Sequence, residues 1–287
     1  MEERDWTIIK HLYEHKNITK TARILYLSQP ALTARIKHIE DRLCTKIITR
    51  GNKGISFTPA GEFVANYANE MVRSLNRFRE ELSNMDNEVR GVLRIAAPNF
   101  VNYRLSRLLG EFKDLYPNVD YNIFTAQSSD VIAGMNSQDL HFGFVLNDFG
   151  WRDDEKMVVA EDTLCIANRS EFKLEDLPNM VRVDYVMDSY HRNFLDTWWE
   201  NTFATIPKTG ILVSSLDVCM EMINSGLGYA IVPSMAIAEN NTLYKLKLQD
   251  QDNSVVLRKT WLLYRKELMH LNITKAFMEF MKTVRFN

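Results

Sequence analysis

Residues 28–40 read SQPALTARIKHIE, and they have the features of a helix with one buried face and one basic face. Ser28 supplies a hydroxyl that can cap free N–H groups, and Pro30 suits the first helical turn. Four apolar side chains follow at spacings of 4, 3 and 4 residues: Leu32, Ile36, Ile39 and Leu43. Because this is the period of an amphipathic helix, we expect the four side chains to form its buried stripe.

The opposite face is small at its centre and basic at its edges. It carries Pro30, Ala34, Lys37, His38 and Asp41, flanked by Ala31, Arg35 and Arg42, with Gln29 and Thr33 at the leading end. Just upstream, TKTARIL at 19–25 predicts a second short helix, joined to the first by a tight Tyr26–Leu27 connection. Such a pair is typical of a helix-turn-helix, whose second helix enters the DNA major groove by its N-terminal end. The alternative is a surface helix of a helical bundle.

The residue types on this face suit contacts with DNA. Gln29 can pair with the N6 and N7 edge of adenine, Thr33 can bond to a base or meet a thymine methyl, and Ala34 permits close approach. Arg35, Lys37 and Arg42 would meet phosphates. The predicted DNA-binding residues of this helix and its cap are Ser28, Gln29, Pro30, Thr33, Ala34, Arg35 and Lys37.

The next segment, IITRGNKGISFTPAG at 47–61, predicts a β-hairpin with a basic tip. Gly51 and Gly54 enclose its turn between two β-branched runs, which makes the whole a winged helix-turn-helix. Arg50 and Lys53 are predicted to bind DNA from this wing, because they can straddle the backbone or reach into a narrow minor groove. The alternative is that they are loop charges that keep the turn soluble.

A long helix with a narrow apolar seam is predicted after Pro59. The seam positions recur every three or four residues: Phe63, Tyr67, Met71, Leu75, Phe78, Leu82, Met85 and Val89. Since a narrow seam suits helix pairing, we predict a linker helix over 59–88 that dimerises through Phe63, Tyr67, Met71, Leu75, Phe78 and Leu82. The alternative is a helix packed on its own winged domain.

From residue 91 the pattern becomes that of an α/β fold. Short apolar strands are predicted at Leu93–Ala96, Tyr121–Phe124, Phe142–Val145, Leu164–Ala167 and Tyr229–Val232, alternating with helical patterns such as Tyr103–Tyr116. This alternation predicts helices on both sides of a sheet. Residues 212–233, LVSSLDVCMEMINSGLGYAIVP, indicate a strand end, a Ser-Ser cap, a helix, a glycine turn and another strand.

Residues 18–61 resemble the N-terminal domain of the LysR-type transcriptional regulators, and residues 212–233 are similar to the effector domain of that family. The resemblance implies a winged helix-turn-helix at 1–58, a linker/dimerisation helix at 59–90, and an α/β effector domain of two Rossmann-like lobes resembling periplasmic binding proteins. Lobe I would be 91–162 plus 263–287, and lobe II 163–262, with Thr260–Tyr264 as the return strand. Three residues depart from the family pattern: Ala34, where many members have Arg or Lys, Thr21, where Ala is usual, and Cys44, where Gly is usual.

The resemblance also implies what the protein does. It implies a sequence-specific regulator of transcription, controlled by a small-molecule effector in the cleft between the lobes, with Gln29, Pro30, Thr33 and Arg50 as DNA-reading positions. The implied partners are double-stranded promoter DNA, an effector of unknown identity, further copies of the chain in a dimer and a tetramer, and RNA polymerase. A cytoplasmic bacterial protein without a cofactor is expected.

Effector-binding residues are predicted from the place where open α/β sheets bind their ligands. Ligands in open α/β sheets bind beyond the carboxyl ends of strands, where helix N-termini offer free N–H groups. That rule selects Asn99, Phe100 and Asn102, then Gln127, Ser128 and Ser129, then Ser189 and Tyr190, and finally Ser214 and Ser215. Ser128 and Ser215 can instead serve as helix caps. An amide and a ring at Asn99 and Phe100 favour a ligand with an apolar or planar part.

Composition and charge restrict the other classes of protein to which the chain could belong. The chain has 287 residues, 46% hydrophobic and 25% charged, which is typical of a folded protein with more than one core. Its net charge is −2, but residues 1–58 hold 11 Lys and Arg against 6 Asp and Glu, so the positive charge is concentrated there. No apolar run approaches the roughly 18 residues of a membrane span, and MEERDW is unlike a signal peptide, so no membrane partner is expected.

Neither catalysis nor metal binding is predicted. The six histidines show no HExxH, no ligand pair with a carboxylate and no nucleophile motif. We interpret His191–Arg192 as a surface pair, with an anion-binding pair near the cleft as the alternative, and the acidic run at 148–155 as a solvated loop. Trp198, Trp199 and Phe203 are assigned to a core or an oligomer contact, with a ligand stack as the alternative. Cys165 and Cys219 are interpreted as buried small hydrophobes and not as redox sensors. The competing classes are a cytosolic small-molecule sequestering protein with nonspecific DNA binding, a nonspecific DNA-packaging protein, and an enzyme built on the two-lobed fold.

Overall fold

The structure is a computed structural model that describes residues 1–51, 54–146, 148–238, 240–250 and 252–284, apart from the side chains of residues 99, 100, 102, 103 and 190. The chain forms two compact units, Met1–Asp86 and Asn87–Asn287. None of the helices in the described ranges is both long and apolar enough to span a bilayer.

The first unit contains three short helices, a hairpin and one long helix. Their bounds are α1 Glu3–His15, α2 Ile18–Ile24, α3 Gln29–Leu43, β1 Ile48–Gly51, β2 Gly54–Phe57 and α4 Pro59–Asn84. Leu32, Ile36 and Ile39 are at most 2% exposed, so the predicted stripe of α3 forms part of the core. The hairpin is antiparallel, with Arg50 opposite Ile55 and Gly51 opposite Gly54, as the glycine spacing predicted.

The linker helix α4 has two apolar faces, and the sequence indicated one of them. Small residues on its first turns, Gly61, Ala65 and Ala68, are buried within the unit. Phe63, Tyr67, Phe78 and Leu82 remain 44–74% exposed. The helix therefore packs on its own winged domain and also presents a seam. It ends at Asn84, four residues before the predicted end.

Val89 is not a seam residue, because it packs against the core of the second unit.

The second unit is a two-lobed α/β structure. Its helices are α5 Asn99–Leu115, α6 Ser128–Asn136, α7 Ser189–Phe203, α8 Leu216–Asn224 and α9 Asn272–Thr283. Its strands are β3 Gly91–Ala97, β4 Val119–Thr125, β5 Phe142–Val145, β6 Lys156–Asn168, β7 Arg182–Tyr185, β8 Thr209–Val213, β9 Ala230–Pro233, β10 Tyr244–Lys247 and β11 Leu257–Leu263. Each predicted strand overlaps one of these.

One strand, β6, belongs to both lobes. The main sheet runs β10-β6-β11-β5-β3-β4, with β9 also paired to β6. Residues 156–163 of β6 pair with β11 in lobe I, and residues 164–168 pair with β9 and β10 in lobe II. Strands β7 and β8 form a separate parallel pair. The two lobes are thus joined by β6 and by the returning strand β11.

Each lobe has an aromatic core. In lobe I the Phe277 ring of α9 lies 5.2 Å from that of Phe112 and 4.8 Å from that of Phe142. In lobe II Trp198 and Trp199 are 7% and 0% exposed, which confirms their predicted core role. Cys165 and Cys219 are buried as predicted, and burial raises the pKa of the Cys219 thiol to about 12.

The acidic run at 148–155 is not a solvated loop throughout. Glu155 is 1% exposed, and its carboxylate accepts a hydrogen bond of 2.9 Å from the Lys266 N–H. Asp148 forms an ion pair of 2.5 Å with Lys156. The prediction was wrong for Glu155 because its partner comes from a segment more than a hundred residues away.

Candidate nucleic-acid interface and ligand cavity

The start of α3 is fixed by its cap. The Ser28 hydroxyl accepts a hydrogen bond of 3.3 Å from the Ala31 N–H, and Pro30 lies in the first turn, so both predicted local roles are confirmed. Helix α2 is capped in the same way by Asn17, which accepts 2.9 Å from the Lys20 N–H. The Thr19 hydroxyl of α2 donates to Gln29 Oε1 at 3.1 Å. That contact orients the Gln29 amide at the leading end of α3.

The predicted DNA-binding side chains of α3 lie mainly at the surface. Ser28, Gln29, Pro30, Ala34 and Lys37 are exposed, and Thr33 is half-buried. The opposite stripe of the same helix is buried in the core. The first two turns of α3 therefore present a small polar surface that a base edge can approach.

Arg35 differs from this group. Its guanidinium forms ion pairs with the fully buried Asp5 at 2.5 Å and with Glu2 at 2.6 Å. The hydrogen bonds that Arg35 donates to these carboxylates raise its pKa. A phosphate would have to compete with both carboxylates. The structure therefore favours a role for Arg35 in joining α3 to the start of α1.

The wing is held on α3 by Glu40, which sequence reasoning missed. Its buried carboxylate accepts hydrogen bonds from the N–H groups of Ile47 at 3.0 Å and Ile48 at 3.3 Å, and from Lys46 Nζ at 2.6 Å. Burial raises the pKa of Glu40, but these hydrogen bonds outweigh it and bring the pKa below its usual value. Arg50 projects from β1 and is exposed. Lys53 lies outside the described residues.

Two departures from the family pattern have a structural explanation. Cys44 ends α3 with φ of 52°, a left-handed conformation that glycine adopts without steric cost. Thr21 is fully buried, and its hydroxyl donates to the His11 carbonyl at 3.4 Å. The added hydroxyl is thus satisfied inside the unit.

A cavity of about 330 Å³ lies between the lobes of the second unit. The starts of four helices meet there: Pro98 before α5, Gln127 before α6, Asp188 before α7 and Ser215 before α8. Helix N-termini carry partial positive charge, so the cavity favours electron-rich groups of a ligand. Tyr185, Met187, Leu146 and Leu216 contribute apolar walls. A volume of this size is typical of small-molecule sites.

Four of the predicted effector-binding residues line this cavity: Gln127, Ser128, Ser214 and Ser215. Ser215 also caps α8 by accepting from the Val218 N–H at 3.5 Å. The Ser128 hydroxyl is buried and has no hydrogen-bond partner among the described residues. Ser129 and Ser189 are exposed and are not among the described lining residues. The side chains of Asn99, Phe100, Asn102 and Tyr190 lie outside the description.

The sequence did not indicate a buried polar group at the back of the cavity. Arg258 of β11 donates to Asp162 Oδ2 of β6 at 3.1 Å, and its Nη1 lies 3.3 Å from His191 Nε2 of α7. His191 is 6% exposed and lines the cavity, so its interpretation as a surface residue was wrong, and the structure supports the alternative position near the cleft. Burial and the neighbouring Arg258 charge lower the pKa of His191 to about 4, although Asp188 opposes them. The imidazole is therefore neutral at pH 7 and accepts from Arg258.

One histidine pair does lie beside a carboxylate, contrary to prediction. His11, Glu14 and His15 occupy one side of α1, and their ligand atoms lie within 4.8 Å of one another. The signal was the i, i+3, i+4 spacing, which brings side chains together on a helix.

Comparison with known proteins agrees with this architecture. The family model described as the bacterial regulatory helix-turn-helix protein, lysR family, matches residues 4–62, and the LysR substrate binding domain matches residues 86–285. The uncharacterised HTH-type transcriptional regulator YraN of Bacillus subtilis is 33% identical over 283 residues, which cover 98% of each chain.

Two solved structures have a similar fold. The full-length Vibrio cholerae virulence activator AphB, a member of the LTTR family, aligns with a TM-score of 0.68 at 16% identity over 99% of this chain and 100% of AphB. Full-length CbnR complexed with its target DNA aligns with a TM-score of 0.63 at 20% identity over 98% of this chain and 99% of CbnR.

Proposed function

The chain belongs to the family of LysR-type transcriptional regulators and is a DNA-binding regulator of transcription, and from this premise we propose which of its residues act. Gln29, Pro30 and Thr33 read base edges in the major groove. Ser28, Ala34 and Lys37 approach the backbone around them, and Arg50 and Lys53 of the wing contact the minor groove or its phosphates. Relatives of the chain are transcriptional regulators, so we propose no catalytic role for any residue.

One observation carries the DNA proposal. The first two turns of α3 are exposed, capped by Ser28 and fixed to α2 through the Thr19–Gln29 hydrogen bond. A recognition helix needs this combination, because its N-terminal residues must reach base edges without losing their orientation. The excess of Lys and Arg over Asp and Glu in residues 1–58 supports binding to a polyanion.

The effector site in this proposal is the cavity between the lobes. Support comes from the four helix starts, the apolar walls and the buried Ser128 hydroxyl, which an electron-rich group of a small molecule can satisfy. Effector binding shifts the relative free energies of two assembly geometries and so changes how the assembly holds and bends promoter DNA. The effector acts only through its differential affinity for these geometries.

The remaining partners follow from the family. Two chains pair through the exposed seam of α4, two dimers form a tetramer, and the assembly contacts RNA polymerase in the bacterial cytoplasm. A dimer with two recognition helices reads an inverted repeat. The exposed aromatic side chains of α4 support this pairing, since Phe63 and Phe78 are 74% and 60% exposed within one chain.

The DNA proposal is tested by fluorescence anisotropy of the full-length protein on the DNA upstream of its own gene. A scrambled duplex is the control, and both are measured at two salt concentrations. We expect a preference of roughly a thousandfold or more that persists at the higher salt. Equal, salt-sensitive binding to this duplex, to the scrambled one and to fragments selected from the genome would instead indicate nonspecific binding, as in the sequestering alternative.

A further inference from the structure

The last two turns of α1 carry the sequence HLYEH at residues 11–15. His11, Glu14 and His15 lie at i, i+3 and i+4, so they project from one side of the helix. His11 Nδ1 lies 3.0 Å from Glu14 Oε2. The two imidazole rings are stacked, with centroids 6.2 Å apart and an interplanar angle of 5°. The three side chains thus converge on one small volume at the surface.

Two imidazoles and a carboxylate form a donor set that divalent transition metals accept. Zinc sites with two histidines and one Glu leave a coordination position open for water. The H-x-x-E-H spacing also places two histidines one turn apart, as in zinc-binding helices. Bonds of about 2.0–2.1 Å in a tetrahedral site put the ligand atoms roughly 3.4 Å apart. The ligand atoms now lie within 4.8 Å of one another, so binding one ion requires side-chain rotations that bring them closer and turn the two nearly parallel rings toward a common point.

The side chains are free to make those rotations, and the backbone does not have to move. The His11 and Glu14 side chains are 29% and 41% exposed. The backbone of the turn is fixed, because the Lys16 N–H closes the helix on the Leu12 carbonyl at 2.9 Å. A fixed backbone with adjustable side chains reduces the entropy lost on binding.

The charged neighbours of the three side chains affect the affinity for a cation. Lys10 Nζ lies 4.0 Å from Glu14 Oε1, one turn away on α1. Lys10 and Lys20 oppose a cation, and they limit the affinity.

We propose that His11, Glu14 and His15 bind one divalent transition-metal ion of the zinc class, with water completing the coordination. The site has three protein ligands and lies at the surface, so binding is reversible and weaker than in closed four-ligand sites. Its three ligands belong to α1 of the first unit, whereas the interlobe cavity belongs to the second unit.

The experiment uses the full-length protein without an affinity tag, freed of metal by a chelator and titrated with Zn²⁺ in a calorimeter. We expect saturable binding of one Zn²⁺ ion per chain at these three ligands. His11→Ala and His15→Ala should each weaken it by about tenfold or more, because losing even an outer-shell partner of a ligand costs that much. Glu14→Gln should weaken it less. His38→Ala is the matched control, since His38 is an exposed histidine of the same unit, and it should leave the affinity unchanged.

A second readout separates binding from folding. Co²⁺ bound at the site should give a visible d–d spectrum in the wild type that the double variant His11→Ala/His15→Ala lacks, and far-UV circular dichroism checks that the double variant is folded. If the replacement unfolds α1, His11→Gln/His15→Gln takes its place. Equal Zn²⁺ affinity in the folded double variant and the wild type, or no saturable binding by the wild type, would overturn the proposal.

Discussion

Gln29 combines an exposed side chain with a hydrogen bond from Thr19 that fixes its amide. We expect Gln29→Ala to cost about 1–3 kcal/mol of binding free energy on the preferred DNA site and little on random DNA, because a base contact carries sequence information. Lys37→Ala is the control, and it should weaken binding to both duplexes by similar amounts. Anisotropy titrations at fixed salt measure all six affinities, those of the wild type and of the two variants on each duplex. Equal losses for Gln29→Ala on both duplexes would remove Gln29 from the base-reading set.

His191 makes a pH-dependent contribution to the stability of the second unit. Its pKa falls from 6.5 to about 4 on folding, so the unfolded chain binds more protons between these values. The contribution is therefore complete above pH 6.5 and decreases as the pH falls toward 4. We expect the change in unfolding free energy between pH 7 and pH 5 to be smaller in His191→Gln by about 2 kcal/mol. Urea unfolding of both proteins at the two pH values measures it, and an identical pH dependence would contradict the buried neutral imidazole.

Individual side chains could be predicted from the sequence where their partners are close along the chain. The Ser28 cap and the buried stripe of α3 depend on residues within a few positions, and both are confirmed. Arg35 pairs with Asp5, thirty residues away, and Arg258 pairs with Asp162, ninety-six residues away. Local patterns contain no information on such pairs, since folding alone brings them together.

At the scale of elements, the close packing of α4 against the start of the wing depends on Gly61. A Cβ at Gly61 would lie 1.9 Å from the Ile47 carbonyl oxygen, so the backbone would have to shift. We expect Gly61→Ala to destabilise the first unit by about 3 kcal/mol. Gly51→Ala is the control, because a Cβ there meets nothing within 4 Å, and its effect should stay within about 1 kcal/mol. Thermal unfolding followed by circular dichroism compares the two, and equal stabilities would contradict the close contact.

The exposed seam of α4 gives a prediction about assembly. Phe78→Glu places a charge in the apolar seam and should break the dimer, while each chain stays folded because Phe78 is exposed within it. Arg77→Glu adds at least as much negative charge on an exposed position outside the seam, and it should leave the dimer intact. Sedimentation equilibrium gives the masses. An unchanged mass for Phe78→Glu would exclude the seam as the dimer contact.

Periodicity predicted the elements better than it predicted their partners. The spacing of three and four residues indicated α4, but it could not show that Gly61, Ala65 and Ala68 form a second buried face. Small residues carry little hydrophobic signal, and they become important only where two backbones approach closely. Val89 continued the spacing by chance, beyond the end of the helix.

At the scale of the whole molecule, two units with separate cores should unfold separately. The first core includes Leu32 and Ile36, and the second includes Phe112 and Phe277. We expect two calorimetric transitions in the full-length protein. Gly61→Ala should lower the midpoint temperature of only one transition. Phe277→Ala should lower only the other, because it reduces the free energy of unfolding of the second unit by about 3–5 kcal/mol. A single transition that shifts with both variants would show that the units unfold together.

The two-lobed architecture was expected from a resemblance and not from patterns alone. Alternating strands and helices predicted an α/β sheet, but no local signal shows that β6 continues from one lobe into the other. The cavity illustrates the same limit. Ser128 and Ser215 were found because they follow strands, whereas His191 of α7 and Arg258 of β11 meet in the cavity although they are sixty-seven residues apart in the sequence.

The order of strands in that crossing also has a consequence for synthesis. Lobe I needs β11 and α9, which the ribosome makes only after all of lobe II. Phe277 follows its partner Phe142 by 135 residues, a delay of roughly 7–30 seconds at about 5–20 residues per second. During that interval the part of the sheet that Phe277 later covers, which includes Phe142, stays accessible to chaperones and to other nascent chains. The first unit has its own core and is synthesised before this interval begins.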